Sequence, residues 1–368
     1  MTHVKTLILL LPGFPKSEAD TACLPLQQAL TRALASLDPF LRVLVIAFHY
    51  PHTAQVYSCG GADVKALGGR NRGGAWSFVR RRQARMILQE ACEQTQVIGL
   101  LSFWHGECAA VGEWLATRTG LPHFCWLMGQ DARPHNRYPK VHPLPADRII
   151  ALSEALQDTY EKSHGIRPAR VITPGIDYSR LEHPASRHVD LLAVGSLIDL
   201  KQFDQFLEVV RDLRATHPQL IARLVGEGPC RARLERLLCE WGLETTVVMT
   251  GELAYPQVLD CMKRSKILLH TSLYEGFSGV CLEAISAGAH VISFCRPMAV
   301  LPPQWQVVAS VQEMQIKASM LLESGPTFCS DRSFPIESTA RQVLSLFGPL
   351  EATEICGQCA DLMGERWE

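Results

Sequence analysis

ILLHTSLYEGFSGVCLEAISAGAHVISF, residues 267–294, decides how the rest of this 368-residue chain is read. The apolar run Ile267–Leu269 predicts a buried strand, and Thr271 and Ser272 open a glycine-bearing loop. Apolar Val280, Leu282 and Ile285 then recur at helical spacing up to Gly288, and His290 to Phe294 reads as a second strand. The result is a βαβ unit whose loop lies at the carboxyl end of its first strand, the edge where parallel sheets bind ligands.

Glu275 sits in that loop, and the backbone N–H groups of Gly276, Phe277, Ser278, Gly279 and Val280 run into the first helical turn. Unpaired donors and the helix dipole favour a phosphate there. Glu283 lies one turn further in, with its side chain leaning back toward the helix start. It is placed to reach a ribose hydroxyl beside a diphosphate, leaving Glu275 free for another part of the ligand. On spacing alone, two such glutamates more often mean a loop carboxylate and a solvated helix face.

Composition sets the frame. The length suffices for two ordinary domains, and 47% hydrophobic with 20% charged residues describes a globular chain. A net charge of −1 argues against nucleic acid as the main partner. No apolar run approaches the ~20 residues of a membrane span, and Leu7–Leu11, stopped by Pro12-Gly13, reads as a first strand rather than a signal peptide. Thirteen cysteines without pairing rhythm suit reduced thiols, and hence the cytoplasm.

Before the opening stretch, apolar runs at His3–Leu11, Arg42–Phe48, Val97–Phe103, His123–Met128 and Asp147–Leu152 read as strands. Helices are expected near Leu24–Leu37, Ala75–Glu93 and, capped by Ser153, Glu154–Ser163. Gly13 stands where the first strand gives way, a place where a ligand can approach closely or a turn simply needs glycine. Tyr57–Gly74 reads as an irregular glycine-rich segment. Arg80, Arg81, Arg82 and Arg85 form a basic cluster beside Phe78 and Val79, suited to anionic lipid at a membrane surface, although a salt-bridged solvated face is the commoner outcome. His105, at the end of the Val97–Phe103 strand, stands at another carboxyl edge of the sheet and is a candidate to meet a substrate.

The polar stretch Asp177–His188 marks the domain boundary. Beyond it, strands are expected at Leu191–Val194, Ile221–Val225 and Val247–Thr250, and helices at Phe203–Arg214, Arg231–Trp241 and Gln257–Arg264. Lys201, in the loop after Leu191–Val194, is suited to neutralising a phosphate. Gly226-x-Gly228 carries Arg231 where a dinucleotide fingerprint needs its third glycine, which argues against NAD. Glu313–Leu322 and Ile336–Phe347 look helical, and the lone Cys356-x-x-Cys359 lacks the further ligands that zinc requires.

EGFSGVCLEAISAG, together with the PGID turn at 174–177 and VGEGP at 225–229, resembles the signature of retaining GT-B-fold glycosyltransferases, the glycosyl transferases group 1 family. The resemblance implies two Rossmann-like α/β domains facing each other across a cleft: residues 1–180 on the acceptor side, 186–335 on the donor side, and 336–368 as a helix crossing back and a tail. It further implies a nucleoside-diphosphate sugar as co-substrate with no other cofactor and no metal, a saccharide or lipid-linked acceptor, and retention of configuration. Glu275 would face the sugar, Lys201 the diphosphate and Glu283 the ribose. Gly276 to Val280, Gly195, Ser196 and Gly13 would lie along the donor phosphates, and Leu253 at the base. Two positions depart from the family pattern. Met128 stands where many members have the histidine of a His-Gly-x-Asp pattern, whose glycine and aspartate are matched by Gly129 and Asp131. Ser196 stands where they have an arginine. These departures keep open a non-catalytic nucleotide-sugar-binding protein beside the transferase, and a GT-B-fold epimerase or phosphorylase remains a further reading. Asp131 and His105 are the acceptor-side candidates.

Overall fold

The structure, a computed structural model, describes residues 4–181, 186–325 and 327–348. They fall into two compact units, one running to Gly175 and resuming at Ile336, the other spanning Ile176–Pro335.

The first unit is laid down as β1 (Lys5–Gly13), α1 (Pro25–Leu37), β2 (Leu41–Tyr50), β3 (Gln55–Cys59), β4 (Ala62–Ala66), α2 (Ala75–Gln94), β5 (Gln96–Phe103), α3 (Glu107–Thr119), β6 (His123–Trp126), α4 (Tyr138–Val141), β7 (Ile149–Ala151), α5 (Glu154–His164) and β8 (Arg170–Val171). The sheet order is β3-β4-β2-β1-β5-β6-β7-β8, parallel except where β3 runs against β4. Leu7–Leu11 of β1 are fully buried, as expected of a central strand covered on both faces. Ser153 caps α5, its hydroxyl accepting from the N–H of Leu156 at 3.0 Å.

Two segments differ from the sequence reading. Tyr57–Gly74 is not irregular throughout, because β3 and β4 form a hairpin there. Gly60 and Gly61 turn it with φ of 62° and 75°, the left-handed pair that a two-residue type I′ turn needs. Helix α3 was not anticipated. Its inward residues are Cys108, Ala109, Ala110, Val111 and Leu115, mostly small, so its apolar stripe is faint in sequence.

The second unit runs β9 (Val189–Val194), α6 (Phe203–Arg214), β10 (Ala222–Val225), α7 (Arg231–Glu240), β11 (Val247–Gly251), α8 (Tyr255–Lys263), β12 (Ser265–His270), α9 (Gly279–Ser286), β13 (His290–Ser293), β14 (Trp305–Val307) and α10 (Val311–Ser324). Its all-parallel sheet has the order β11-β10-β9-β12-β13-β14. The chain winds outward from β9 in one direction and then, from β12, in the other. The strand order therefore reverses between β9 and β12, and ligands of open α/β sheets bind beyond the carboxyl ends at such a switch point. Leu191, Ala193, Leu224, Ile267 and Leu269 join Phe206, Leu207 and Val210 of α6 in one core. After Pro335 the chain rejoins the first unit as α11 (Ile336–Ser345), packed on α1. Every cysteine among the described residues is a free thiol, and the Cys356–Cys359 pair lies outside them.

Candidate functional site

Strands β9 and β12 end side by side, with Ile267 opposite Leu191 and Leu268 opposite Leu192, so the loops after them are neighbours. Backbone hydrogen bonding fixes how they meet. Leu273 N–H donates to Leu200 C=O at 3.0 Å, and the Thr271 hydroxyl donates to Lys201 C=O at 2.7 Å. The pinned loops bring Lys201 and Glu275 together as an ion pair between Nζ and Oε1, each side chain 19% exposed. Glu275 is thus not left free, as its position in the loop suggested. It is held by a cation drawn from 74 residues earlier.

Behind the pair stands His270, the buried last residue of β12. Its Nε2 is 3.5 Å from Glu275 Oε1, 2.9 Å from Ser278 Oγ and 3.3 Å from Ser272 Oγ. Burial pushes the Glu275 carboxyl up, but the hydrogen bond to His270 and the charge of Lys201 outweigh it and hold the group down at about 2. Burial likewise keeps His270 below the usual imidazole range, hence neutral. The pair is a fixed, ionised couple at ordinary pH, with an ammonium available to an incoming anion.

Helix α9 starts at Gly279, so Gly276, Phe277 and Ser278 form the turn before it, and Gly279 and Val280 are its first residues. Phe277 is buried against Trp305 of β14, edge to face at 6.4 Å, which anchors that turn. The N–H groups of Cys281 and Leu282 reach back to Ser278 C=O, while the earliest N–H groups of a helix have no intrahelical acceptor. One turn in, Glu283 is 7% exposed and accepts a hydrogen bond from Tyr255 Oη at 2.9 Å. Burial lifts its carboxyl to about 7, with the tyrosine pulling the other way.

The glycines of the β9 and β10 loops serve close backbone contact. A Cβ on Gly226 (φ 146°) would lie 1.9 Å from Gly195 C=O, and one on Gly195 would meet the Lys201 stem at 3.5 Å. Ser196 is exposed beside Gly195, and Leu253 is half-buried just before α8. In the first unit, Gly13 ends β1 beside Tyr50.

His105 and Asp131 behave differently. His105 is 1% exposed, its ring nitrogens engaged by Tyr160 Oη at 2.7 Å and His142 C=O at 2.9 Å. Asp131, 3% exposed, accepts from the N–H groups of Met128 at 2.5 Å and His105 at 3.0 Å, and burial lifts its carboxyl to about 8. Both knit the β5 and β6 loops to one another and turn no free polar atom outward. Arg80 also departs from expectation: it is 5% exposed and spent on Glu107 at 2.7 Å and on Arg72 C=O, so it leaves the basic face to its neighbours.

Sequence reasoning missed Tyr255 and His270. The signal for His270 was on view, since a histidine closing the apolar run Ile267–Leu269 must satisfy a buried ring. Tyr255 had none, because its partnership with Glu283 spans 28 positions. Among the described residues, no three His, Cys, Asp or Glu gather as metal ligands.

Comparison with known proteins bears on the same unit. Residues 182–299 match the family described as glycosyl transferases group 1. The chain is similar to the phosphatidylinositol N-acetylglucosaminyltransferase gpi3 subunit of Schizosaccharomyces pombe, 35% identical over 28% of this chain and 23% of that one. It is also similar to glycogen synthase of Mycobacterium tuberculosis, 27% identical over 48% and 44%. It spans about a quarter to a half of the length of the curated relatives it matches. Among solved structures it resembles Anabaena HepE in complex with UDP and glucose, with a TM-score of 0.66 at 16% identity over 92% of this chain and 98% of that one. It resembles sucrose-phosphate synthase of Thermosynechococcus elongatus at 0.64 and 16%, over 93% and 95%. The stretch that holds Lys201, Glu275 and Glu283, residues 182–299, is thus the part similar to the glycosyl transferases group 1 family, and the two sheets have the GT-B fold.

Proposed function

We propose that the chain is a glycosyltransferase that moves a hexosyl unit from a nucleoside-diphosphate sugar to a hydroxyl acceptor on a glycan or a lipid-linked glycan. In this reading configuration is retained and neither a metal nor another cofactor takes part. The observation that carries it is the Lys201–Glu275 ion pair at the switch point, set against the first turn of α9 with Glu283 one turn in. A diphosphate drawn to that turn meets backbone donors, the positive end of a helix and an ammonium. Charge growing on the leaving group is then met by groups already in place. Lys201 swings from carboxylate to phosphate, and Glu275, released but still ionised, faces the cationic character of the sugar as the glycosidic bond breaks. Glu283 accepts from ribose hydroxyls, and the departing phosphate takes the acceptor proton.

HepE was solved with UDP and glucose, which makes UDP-glucose the first donor to try. The name of the gpi3 relative puts lipid-linked acceptors among the candidates. The test is calorimetry and turnover with UDP, GDP and ADP sugars, for the parent and for Glu283→Ala. Binding weakened by the substitution, with sugar transferred or hydrolysed at the original anomeric configuration, supports the reading. Neither binding nor turnover, with Glu283→Ala indistinguishable from the parent, overturns it. Ser196 and Met128, in place of a cationic and a protonatable side chain, favour one alternative, a protein that binds the nucleotide sugar without turning it over. Binding without turnover would establish that alternative.

A further inference from the structure

The first three turns of α2 present to solvent what surface helices ordinarily keep inside. Trp76, Phe78, Val79 and Met86 are all exposed, Phe78 by 72% and Met86 by 59%, and Val141 of α4 is exposed as well. Val79, Arg82 and Met86 follow one another at i, i+3 and i+7 and so share one side of the helix. Arg82, between the two apolar residues, has no hydrogen-bond or ion-pair partner among the described residues.

More arginines flank this strip. Arg81 lies over the ring of Tyr138 at 5.8 Å and donates to its hydroxyl at 3.0 Å, and Arg72 lies over Trp76 at 5.2 Å. Arg85 and Arg118 converge on the same indole, Trp114, at 4.8 and 4.7 Å, and neither has a carboxylate partner among the described residues. Crowded cations of this kind cost free energy, and Arg85 is held below the usual guanidinium range by burial first and then by Arg118 and Arg81. The nearby acids do not relieve it. Glu107 is taken by Arg80 and Ser77 and reaches Arg81 at 3.5 Å, which leaves nothing for Arg82, Arg85 or Arg118, and Glu90, further along α2, pairs with Lys65.

An apolar strip flanked by arginines, of which Arg82, Arg85 and Arg118 have no carboxylate partner among the described residues, matches one kind of surface by both polarity and charge. We infer that this face of α2 docks on a bilayer bearing anionic phospholipids, with Phe78, Val79 and Met86 entering the boundary between headgroups and acyl chains and Arg81, Arg82, Arg85 and Arg118 meeting the phosphates. Trp76 sits at headgroup depth, where an amphipathic ring is most favourable. The inference rests on α2 and its neighbours alone and does not depend on the transferase reading.

The experiment is co-sedimentation of the full chain with phosphatidylcholine vesicles with and without phosphatidylglycerol, at low and high salt. Binding is expected only with the anionic lipid, weakened as salt rises. Arg82→Ala should reduce partitioning about fivefold, and Arg82→Glu more. Phe78→Ser should remove the binding that survives high salt. Circular dichroism melts matching the parent would show that these exposed substitutions leave the fold intact. Three outcomes overturn the proposal: equal binding to both vesicles or to neither, binding unchanged by Phe78→Ser and Arg82→Glu, and release by free glycerol phosphate, which would assign the arginines to a soluble phosphate ligand. Retention on polyglutamate without vesicle binding would point instead to an acidic protein and would equally overturn it. Turnover of a nucleotide sugar with a soluble acceptor should be the same for Arg82→Glu and parent, so the two readings fail separately.

Discussion

The loops at the carboxyl edges of the two sheets are built from similar parts and used in opposite ways. In the second unit, loop hydrogen bonds turn Lys201 and Glu275 toward one another at the surface end of the sheet, each still partly exposed. In the first unit, His105 and Asp131 occupy comparable positions beyond β5 and β6, yet both are buried and satisfied by Tyr160, His142 and backbone N–H groups. The difference shows what makes a polar edge residue available to a ligand. An ion pair that water still reaches can exchange its carboxylate for a phosphate, because the ammonium then keeps an anionic partner. A polar group sealed inside a satisfied network cannot leave without stranding its partners.

Substitutions break this contrast in order of size. Lys201→Ala should reduce turnover about a hundred- to a thousandfold, the scale for losing one preorganised charge-stabilising group, while the thermal melt stays near the parent's. A turnover deficit under about threefold would remove Lys201 from the reaction. His105→Ala should do the reverse. It strands the Tyr160 hydroxyl and the His142 carbonyl and opens a cavity, for about 3 kcal/mol of lost stability, while nucleotide binding by the folded protein is unchanged. Weaker nucleotide binding with an unchanged melt would contradict that assignment.

Glu283 sharpens the comparison through pH. Its carboxyl titrates at about 7 in the folded chain against 4.5 when unburied. A raised value means the folded state favours the proton, so the stability associated with it is present below 4.5 and lost as pH rises through 7. Glu283→Gln should therefore stabilise the free protein by on the order of 3 kcal/mol at pH 8, with the gain vanishing toward pH 4. The same substitution should weaken nucleotide binding. Melts at the two pH values decide the first expectation, and a gain independent of pH would refute it. In the parent, nucleotide affinity should fall as pH drops below 7, because the protonated acid is the weaker acceptor of ribose hydroxyls.

Smallest is Tyr255→Phe. Removing one hydrogen bond to Glu283 should cost about 1 kcal/mol, roughly a fivefold loss of nucleotide affinity. The midpoint of the pH dependence should move upward, since the tyrosine holds the Glu283 carboxyl down. Calorimetry across pH reads both, and an unmoved midpoint would show that the contact is structural only.

Much of this was legible in the chain itself. Helix α6 falls at Phe203–Arg214 as the apolar spacing predicts, and the βαβ unit around 267–294 needed only period, loop and glycine to be recognised. The misses share a physical cause. Helix α3 turns small residues inward, so burial leaves little contrast in its sequence. The β3–β4 hairpin was announced by Gly60-Gly61 but obscured by its polar flanks. The basic run 80–85 could not reveal which arginine faces inward, because only two positions, about half a turn of helix, separate Arg80, locked to Glu107, from Arg82, which has no partner among the described residues.

By itself the sequence determined two α/β sheets, most of their strands and helices and the glycine-bearing loop that enters α9, because periodicity, glycine and chain direction are local properties. Only the tertiary structure decided which side chains that loop may use. The pairing of Lys201 with Glu275, of Tyr255 with Glu283, and the burial of His105 and Asp131 all depend on contacts between residues distant in the chain. Exposure and partnership, which set the charge and freedom of a polar group, exist only after the strands have been placed side by side.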